Sequence, residues 1–176
     1  MESLNLIVTC ARHFEEETEQ EITGILEEIG DDDPQIAMTE FSGILYVNTT
    51  SEPLNVIKKM RQKLEDEPWS IRYTMRAIPV EEMTDTDVQK ISDAAIKHAK
   101  KMKKDHTYRI TIEKRNSDIS SSKIISAIAD KIPNKVSLEK YDWIVLVEIL
   151  GSITGISVLK DEDIMSIQRE KRGSLE

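Results

Sequence analysis

A pair of cations, Lys114-Arg115, stands at the end of a stretch in which apolar and polar residues alternate. The stretch 108–113 reads YRITIE, and its period of two predicts a half-buried β-strand. Asn116 opens the polar turn that follows, and a helix is predicted to begin near Ser120. A rigid strand that delivers two cations to the edge of a sheet suits a phosphate backbone better than it suits an enzyme active site.

Further cations stand before and after this pair. A lysine-rich helix end precedes the strand, one arginine lies within it, and a basic group closes the chain: Lys100, Lys101, Lys103, Lys104, Arg109, Arg169, Lys171 and Arg172. Convergence of these three groups would form a channel for a phosphate backbone. The ordinary meaning of a lysine run is a solvated surface, and composition alone leaves that alternative open.

Charge is distributed unevenly along the 176 residues. The formal net charge is -9, which by itself disfavours a nucleic-acid partner. Residues 1–84 carry 18 acidic against 7 basic side chains, whereas residues 97–115 carry 8 basic against 2 acidic. Because the local field governs phosphate binding, the asymmetry between the halves is more informative than the total.

Nucleophilic catalysis has one candidate pair. Cys10 and His13 follow a predicted strand, but no third group that would orient the histidine is evident. A buried thiol beside a surface histidine is the more ordinary arrangement, and His98 and His106 belong to no recognisable motif. We therefore expect a protein that is not an enzyme, although a small enzyme that uses Cys10 remains an alternative.

Metal and cofactor motifs are weak. The acidic runs Asp31–Asp33 and Asp161–Asp163 lack calcium-loop spacing and are more typical of turns and helix starts. One cysteine excludes an internal disulfide and a cysteine zinc cage, and neither a Walker loop nor a GxGxxG fingerprint occurs. Neither a signal peptide nor a membrane span is predicted. The expectation is a cytoplasmic protein without metal or cofactor.

The first half predicts a β-α-β-β-α-β order, the ferredoxin-like pattern. A strand-forming run at 4–10 precedes a helix with apolar residues on one face and Gly30 as its C-cap. Two short strands, 35–39 and 44–48, precede a helix that starts near Pro53, and a strand follows at 70–78. The polar stretch 80–86 is the predicted boundary between two domains, 1–80 and 81–172.

The second half predicts an α/β domain with a mixed sheet. A helix from about Val88 precedes the strand at 108–114, and another helix runs from about Ser120 to Ile132. A short strand at 135–139, a buried strand at 143–150 and a strand at 153–159 come next. The last predicted element is a helix capped by Asp161.

This half resembles the THUMP domain family, the RNA-binding modules found in several tRNA-modifying enzymes. The resemblance rests on the order and spacing of short motifs, namely RITIEKR at 109–115, SSSKII at 120–125, KVSL at 135–138, DWIVLVEI at 142–149 and GISV at 155–158. The first half resembles the ferredoxin-like domain that often precedes THUMP. Tyr141-Asp142 and Ala129 depart from the Pro-Asp and glycine found in many members.

The resemblance implies a function. THUMP enzymes append a catalytic domain, and no such domain follows residue 172, so the chain resembles the stand-alone THUMP proteins that serve an RNA cytidine acetyltransferase as tRNA-binding adaptors. The segments 8–14 and 67–72 resemble that group too. The resemblance implies that the chain recognises the acceptor stem and 3′ end of tRNA and assists in forming acetylcytidine. The alternative is the RNA-binding subunit of a split enzyme for tRNA methylation or thiolation; neither DNA nor a membrane is an expected partner.

The resemblance also implies site residues. Lys114 and Arg115 match the family's basic pair, and Ser122 and Lys123 add backbone donors and charge at a helix N-terminus. We predict that these four residues, Asn116 and the basic groups named above contact RNA. A second group of candidates lies in the acidic first half, which we expect to position the THUMP domain or meet a partner protein: Arg12, Arg72 and Arg76.

Overall fold

The computed structural model describes residues 3–173 and divides them into two compact units. The first unit comprises the chain up to Pro79 together with the segment from Glu162 onward, and the second comprises Val80–Asp161. The N-terminal boundary lies within one residue of the predicted one. The C-terminal boundary differs, because residues 162–172 were predicted to belong to the second domain.

The first unit has the predicted β-α-β-β-α-β order. Its elements are β1 (Leu6–Cys10), α1 (Glu15–Ile29), β2 (Gln35–Met38), β3 (Ile44–Asn48), α2 (Pro53–Asp66) and β4 (Thr74–Pro79). The strands form an antiparallel sheet in the order β2-β3-β1-β4, with a short strand β9 (Met165–Ser166) added beside β4. Apolar residues of α1, α2 and the sheet, among them Leu6, Leu26 and Met60, form one buried core.

The C-terminal segment belongs to the first unit because β9 pairs with β4. Arg76 lies opposite Ser166 and Ala77 lies opposite Met165. Asp161–Asp163 form a short 3-10 turn, and the final helix α5 spans Ile167–Gly173 instead of beginning after Asp161 as predicted. An ion pair of 3.0 Å between Arg61 and Glu170 joins α5 to α2.

The second unit is the predicted α/β domain with a mixed sheet. Its elements are β5 (Glu82–Asp85), α3 (Val88–Ala99), β6 (Tyr108–Arg115), α4 (Ser121–Ala129), β7 (Trp143–Leu150) and β8 (Ile153–Leu159). The strand order is β5-β8-β7-β6, with β6 parallel to β7 and the other pairs antiparallel. Both helices and one sheet face share a core that includes Ile91, Ile124 and Val147.

The polar stretch 80–86, predicted as the boundary between the domains, also contains a strand that the sequence did not predict, β5, which pairs with β8 as an edge strand. A strand bordered on one side only does not need an apolar sequence, which explains why no strand was predicted there. One local prediction in this unit was wrong. Residues 135–139 were predicted to form a strand, but they make only an isolated bridge from Val136 to Tyr108.

Candidate nucleic-acid interface

The cationic pair lies where β6 ends. Lys114 and Arg115 are both exposed, and alternation along the strand sends their side chains to opposite faces of the sheet. Lys114 shares the helix-covered face with Tyr108, and its Nζ donates to the Ile119 carbonyl at 3.0 Å. Arg115 faces the other side. The pair therefore offers positive charge on both sides of an edge strand.

A tight turn connects β6 to α4. Asn116 has a φ of 50°, a left-handed conformation that asparagine adopts more readily than most residues. The Arg115 carbonyl accepts a hydrogen bond of 2.9 Å from Gly151 N–H in the β7–β8 turn, and the Ser117 hydroxyl accepts one from Ile119 N–H. These contacts fix the direction in which the chain leaves the sheet.

The N-terminus of α4 lies beside the pair. Ser120 caps the helix, because its hydroxyl accepts from Lys123 N–H at 3.3 Å and lies 3.0 Å from the Ser122 hydroxyl. The first N–H groups of any α-helix lack intrahelical acceptors, and the helix dipole places positive charge there. Ser122 and Lys123 are exposed. The arrangement suits binding of a phosphate group.

These five residues form what we call the strand-exit site: Lys114, Arg115, Asn116, Ser122 and Lys123. Asp118 is an exposed acidic residue within the same turn. The site combines three cationic side chains, a helix N-terminus and hydroxyl groups. It can therefore hold a phosphate backbone by charge and hydrogen bonds.

The lysines at the end of α3 lie away from the strand-exit site. They precede the start of β6, and its eight residues span about 23 Å between the two ends. Lys101 donates to a carboxylate oxygen of Glu81 and to the Val158 carbonyl. Much of its charge is therefore neutralised locally. The convergence of these lysines with Lys114 and Arg115 that the sequence suggested is not what the fold produces.

An ion network surrounds Glu82 on β5. Its carboxylate oxygen lies 3.0 Å from Lys97 Nζ and 3.0 Å from His98 Nε2. The hydrogen bond from Lys97, followed by that from His98, holds the pKa of Glu82 below its ordinary value. The network ties β5 to α3 and occupies two basic side chains of this helix.

Arg109 lies at the start of β6 and does not reach the strand-exit site. Its Nη1 donates to the Leu138 carbonyl at 3.2 Å, and its guanidinium lies 5.9 Å from the centroid of the Tyr141 ring. Nearby, Lys160 Nζ lies 5.3 Å from the Trp143 ring centroid. The sequence did not single out Lys160, because only the β7–β8 hairpin brings it to this tryptophan.

The C-terminal cations lie in the first unit. Arg169 Nη2 donates to the Ile164 carbonyl at 2.9 Å, and Lys171 Nζ donates to the Ile71 carbonyl at 3.4 Å. Arg172 is exposed on the same helix, α5. These cations lie in the first unit because β9 pairs with β4, which places α5 within that unit. A role for these three residues in RNA binding stays a prediction.

Three further candidate arginines come from one end of the first sheet. Arg12 follows β1, Arg72 precedes β4, and Arg76 lies opposite Thr9 in the antiparallel ladder that joins these two strands. Arg12 and Arg72 are exposed. Phe14 and Tyr73, close to Arg12 and Arg72 in the sequence, stack with ring centroids 5.6 Å apart. A role for these arginines in RNA binding stays a prediction.

The candidate nucleophile Cys10 lies in the core. Burial raises the pKa of its thiol, which lowers the fraction of reactive thiolate. His13 is exposed and has a φ of 76°.

The acidic run Asp31–Asp33 has protein partners of its own. The buried carboxylate of Asp31 accepts hydrogen bonds from the Thr49 hydroxyl at 2.6 Å and from Thr50 N–H. These contacts describe a structural turn.

Residues 3–173 contain no group of three or more His, Cys, Asp or Glu side chains arranged to hold a metal ion. Within the same range, no helix is long and apolar enough to cross a membrane.

Comparisons with known proteins support the family resemblance. Residues 85–159 match the family model described as THUMP domain, so the second unit contains a THUMP domain. An uncharacterized protein of Methanocaldococcus jannaschii, MJ0421, is 30% identical over 126 residues, which cover 69% of this chain and 35% of that protein. The chain thus spans about a third of this relative's length.

Solved structures share the fold across both units. PH1313 from Pyrococcus horikoshii matches with a TM-score of 0.64 and 17% identity over 90% of this chain and 55% of its own. TrmN from Thermus thermophilus matches with a TM-score of 0.62 and 10% identity, covering 89% and 45%. A 4-thiouridine synthetase, solved as an RNA complex with bound ATP, matches with a TM-score of 0.53 and 9% identity, over 93% of this chain and 42% of its own. Identities this low show the fold alone.

The lowered pKa of Glu82 predicts a pH-dependent contribution to stability. Glu82→Gln should lower the free energy of unfolding near neutral pH, because it removes the charged partner of Lys97 and His98. A carboxyl group whose folded pKa is lowered stabilises the protein above its ordinary pKa, near 4.5, and this contribution disappears as the pH falls through the folded value. The difference between wild type and variant should therefore shrink below pH 4.5.

Urea unfolding at pH 7, 5 and 3.5 measures this difference. Glu139→Gln, an exposed position in the same unit, is the control and should show little change at any of these values. A constant difference between wild type and Glu82→Gln across the range would contradict the assignment.

Proposed function

We propose that this chain, which carries a THUMP domain over residues 85–159, binds tRNA and holds its phosphate backbone at the strand-exit site. The observation that carries the proposal is the position of Lys114 and Arg115, exposed beside the N-terminus of α4 and inside the matched range. Phosphate oxygens are the ligands that such a combination of cations and a helix N-terminus binds best.

RNA is the proposed nucleic acid for a second reason. One protein with the same fold, the 4-thiouridine synthetase, was solved with RNA bound. The strand-exit site has three cations and one helix N-terminus, which provide contacts for only a few phosphates. The sequence or shape of the RNA must therefore supply the remaining selectivity. We propose that this selectivity comes from the acceptor stem and its single-stranded 3′ end, as the family resemblance implies.

The proposed role is that of a cytoplasmic, non-catalytic adaptor. In this role the chain presents tRNA to an RNA acetyltransferase, which forms acetylcytidine. The resemblance of segments 8–14 and 67–72 to such adaptors supports the choice of partner, and the buried position of Cys10 disfavours a nucleophilic role for this thiol. The second candidate is an RNA-binding subunit for methylation or thiolation of tRNA, which the likeness to the 4-thiouridine synthetase favours.

Neutralising the cationic pair should weaken tRNA binding. We expect Lys114→Ala/Arg115→Ala to raise the Kd roughly tenfold or more, since each charge-assisted hydrogen bond contributes about 1.5–3 kcal/mol. Each lost phosphate contact should also remove about one unit from the slope of log K against log salt concentration. Titrations at four salt concentrations measure both effects.

Lys58→Ala/Lys59→Ala is the matched control for this pair. These two lysines are adjacent and exposed on α2 in the first unit. The control should keep both affinity and slope. If the Lys114/Arg115 variant matches wild type in both quantities, the strand-exit site is not the phosphate site.

Recognition of the 3′ end is tested with trimmed RNA. We expect tRNA that lacks its single-stranded 3′ end to bind roughly tenfold more weakly than intact tRNA, because unpaired bases contribute about 1–3 kcal/mol each when they stack on a protein. The comparison is made near physiological salt with the same tRNA body. Equal affinities would mean that the protein reads backbone charge alone.

The identity of the partner enzyme is tested by reconstitution. Purified RNA acetyltransferase, tRNA and acetyl-coenzyme A should yield more acetylcytidine when this protein is added, because tRNA is then delivered to the enzyme. The Lys114→Ala/Arg115→Ala variant should lose most of the stimulation. Stimulation of a tRNA methyltransferase or thiolation enzyme, with no effect on the acetyltransferase, would support the second candidate instead.

A further inference from the structure

A groove opens in the second unit where α3 and α4 both end. Its volume is 510 Å³. Its lining consists of five apolar residues, one amide and three lysines: Ile96, Ala99, Met102, Ile132, Pro133, Asn134, Lys100, Lys104 and Lys131. We call it the lysine groove. No acidic side chain is part of this lining.

Hydrogen bonds hold the groove open in a defined shape. The side-chain amide of Asn134 donates to the Lys103 carbonyl at 2.7 Å and to the His106 carbonyl at 3.0 Å. The turn after α4 is thereby fastened to the turn after α3. A ligand that enters the groove meets a surface already ordered, which lowers the entropy cost of binding.

The charge of the groove is not neutralised by the protein. Lys97 and Lys101 of the same region contact Glu82 and Glu81. The three groove lysines, in contrast, are exposed, and the ion pairs of residues 3–173 include none of them. The C-terminal ends of two helices contribute only about half a negative charge each. Asp105 and Asp130 adjoin Lys104 and Lys131 in the sequence and lower the charge around the groove, but neither carboxylate lines it, so the three lysines are the charged groups of its rim.

This combination of apolar lining and positive rim selects the kind of partner. An RNA backbone supplies anions but no aliphatic side chains for the surface made by Ile96, Met102 and Pro133. An amphipathic helix with apolar residues on one face and carboxylates beside them supplies both. We propose that the lysine groove docks an acidic amphipathic helix of a partner protein.

The position of the groove leaves the strand-exit site accessible. The groove lies near the start of β6 and the strand-exit site at its end, about 20 Å away along the strand. A partner protein and an RNA backbone can therefore occupy the second unit together. This inference goes beyond the proposed RNA binding and does not depend on it.

The test uses the full chain and a synthetic probe. The probe is a fluorescein-labelled helical peptide of about four turns, with leucines on one face and glutamates elsewhere, and its partner peptide has glutamine in place of glutamate. We expect Lys100→Glu/Lys131→Glu to weaken binding of the acidic peptide about tenfold, since the change reverses two attractions. Lys58→Glu/Lys59→Glu, with the same charge change in the first unit, should leave it within about twofold.

Further measurements separate the groove from the RNA site. Wild type should bind the glutamine peptide more weakly than the acidic one, and tRNA affinity should be unchanged in Lys131→Glu, which alters a groove lysine outside the predicted RNA contacts. Lys100→Gln/Lys131→Gln shows whether the loss of peptide binding persists when the two charges are removed and not reversed. Circular dichroism of this variant and of Lys100→Glu/Lys131→Glu checks that both are folded.

Three results would overturn the proposal. The first is that wild type fails to bind the acidic peptide, and the second is that both lysine pairs affect it equally. The third is that tRNA displaces the peptide and Lys131→Glu weakens tRNA binding about tenfold, which would assign the groove to RNA. Failure of tRNA binding by wild type would instead contradict the proposed function and leave this inference intact.

Discussion

The parallel pairing of β6 with β7 is the constraint on which the second unit depends. The two strands are in register over eight residues, from Tyr108 opposite Trp143 to Arg115 opposite Leu150. Parallel neighbours require a crossover connection, and α4 lies within it. A crossover helix begins at the sheet edge where the first strand ends. The C-terminal end of β6 and the N-terminal end of α4 must therefore meet, which brings two cations to a helix N-terminus.

The same constraint separates the basic residues into groups. α3 ends before β6 begins, so its lysines lie at the other end of this strand, and α4 returns the chain to them at Lys131. One strand length thus lies between the strand-exit site and the lysine groove. Two surfaces with different chemistry result, one formed by cations and N–H groups, the other by cations and aliphatic side chains.

Local features of the fold could be predicted from the sequence, and distant ones could not. The alternation of residues 108–113 and the serines at 120–122 specify β6 and the start of α4, so Lys114, Arg115, Ser122 and Lys123 were placed correctly relative to each other. The position of α5 depends on two residues of β9 that pair with β4, almost 90 positions earlier. A pairing this short leaves no periodic pattern, which is why Arg169 and Lys171 were assigned to the wrong unit.

Counting cations also overestimated the basic surface, because the count ignores the carboxylates that the fold brings to them. Glu81 and Glu82 stood in the stretch predicted as the domain boundary, yet the pairing of β5 with β8 places both beside α3. Their contacts with Lys97 and Lys101 cancel charge that the sequence count treated as available to a ligand. For an acidic protein proposed to bind an anion, the decisive property is therefore which lysines and arginines keep their charge exposed after the strands have paired.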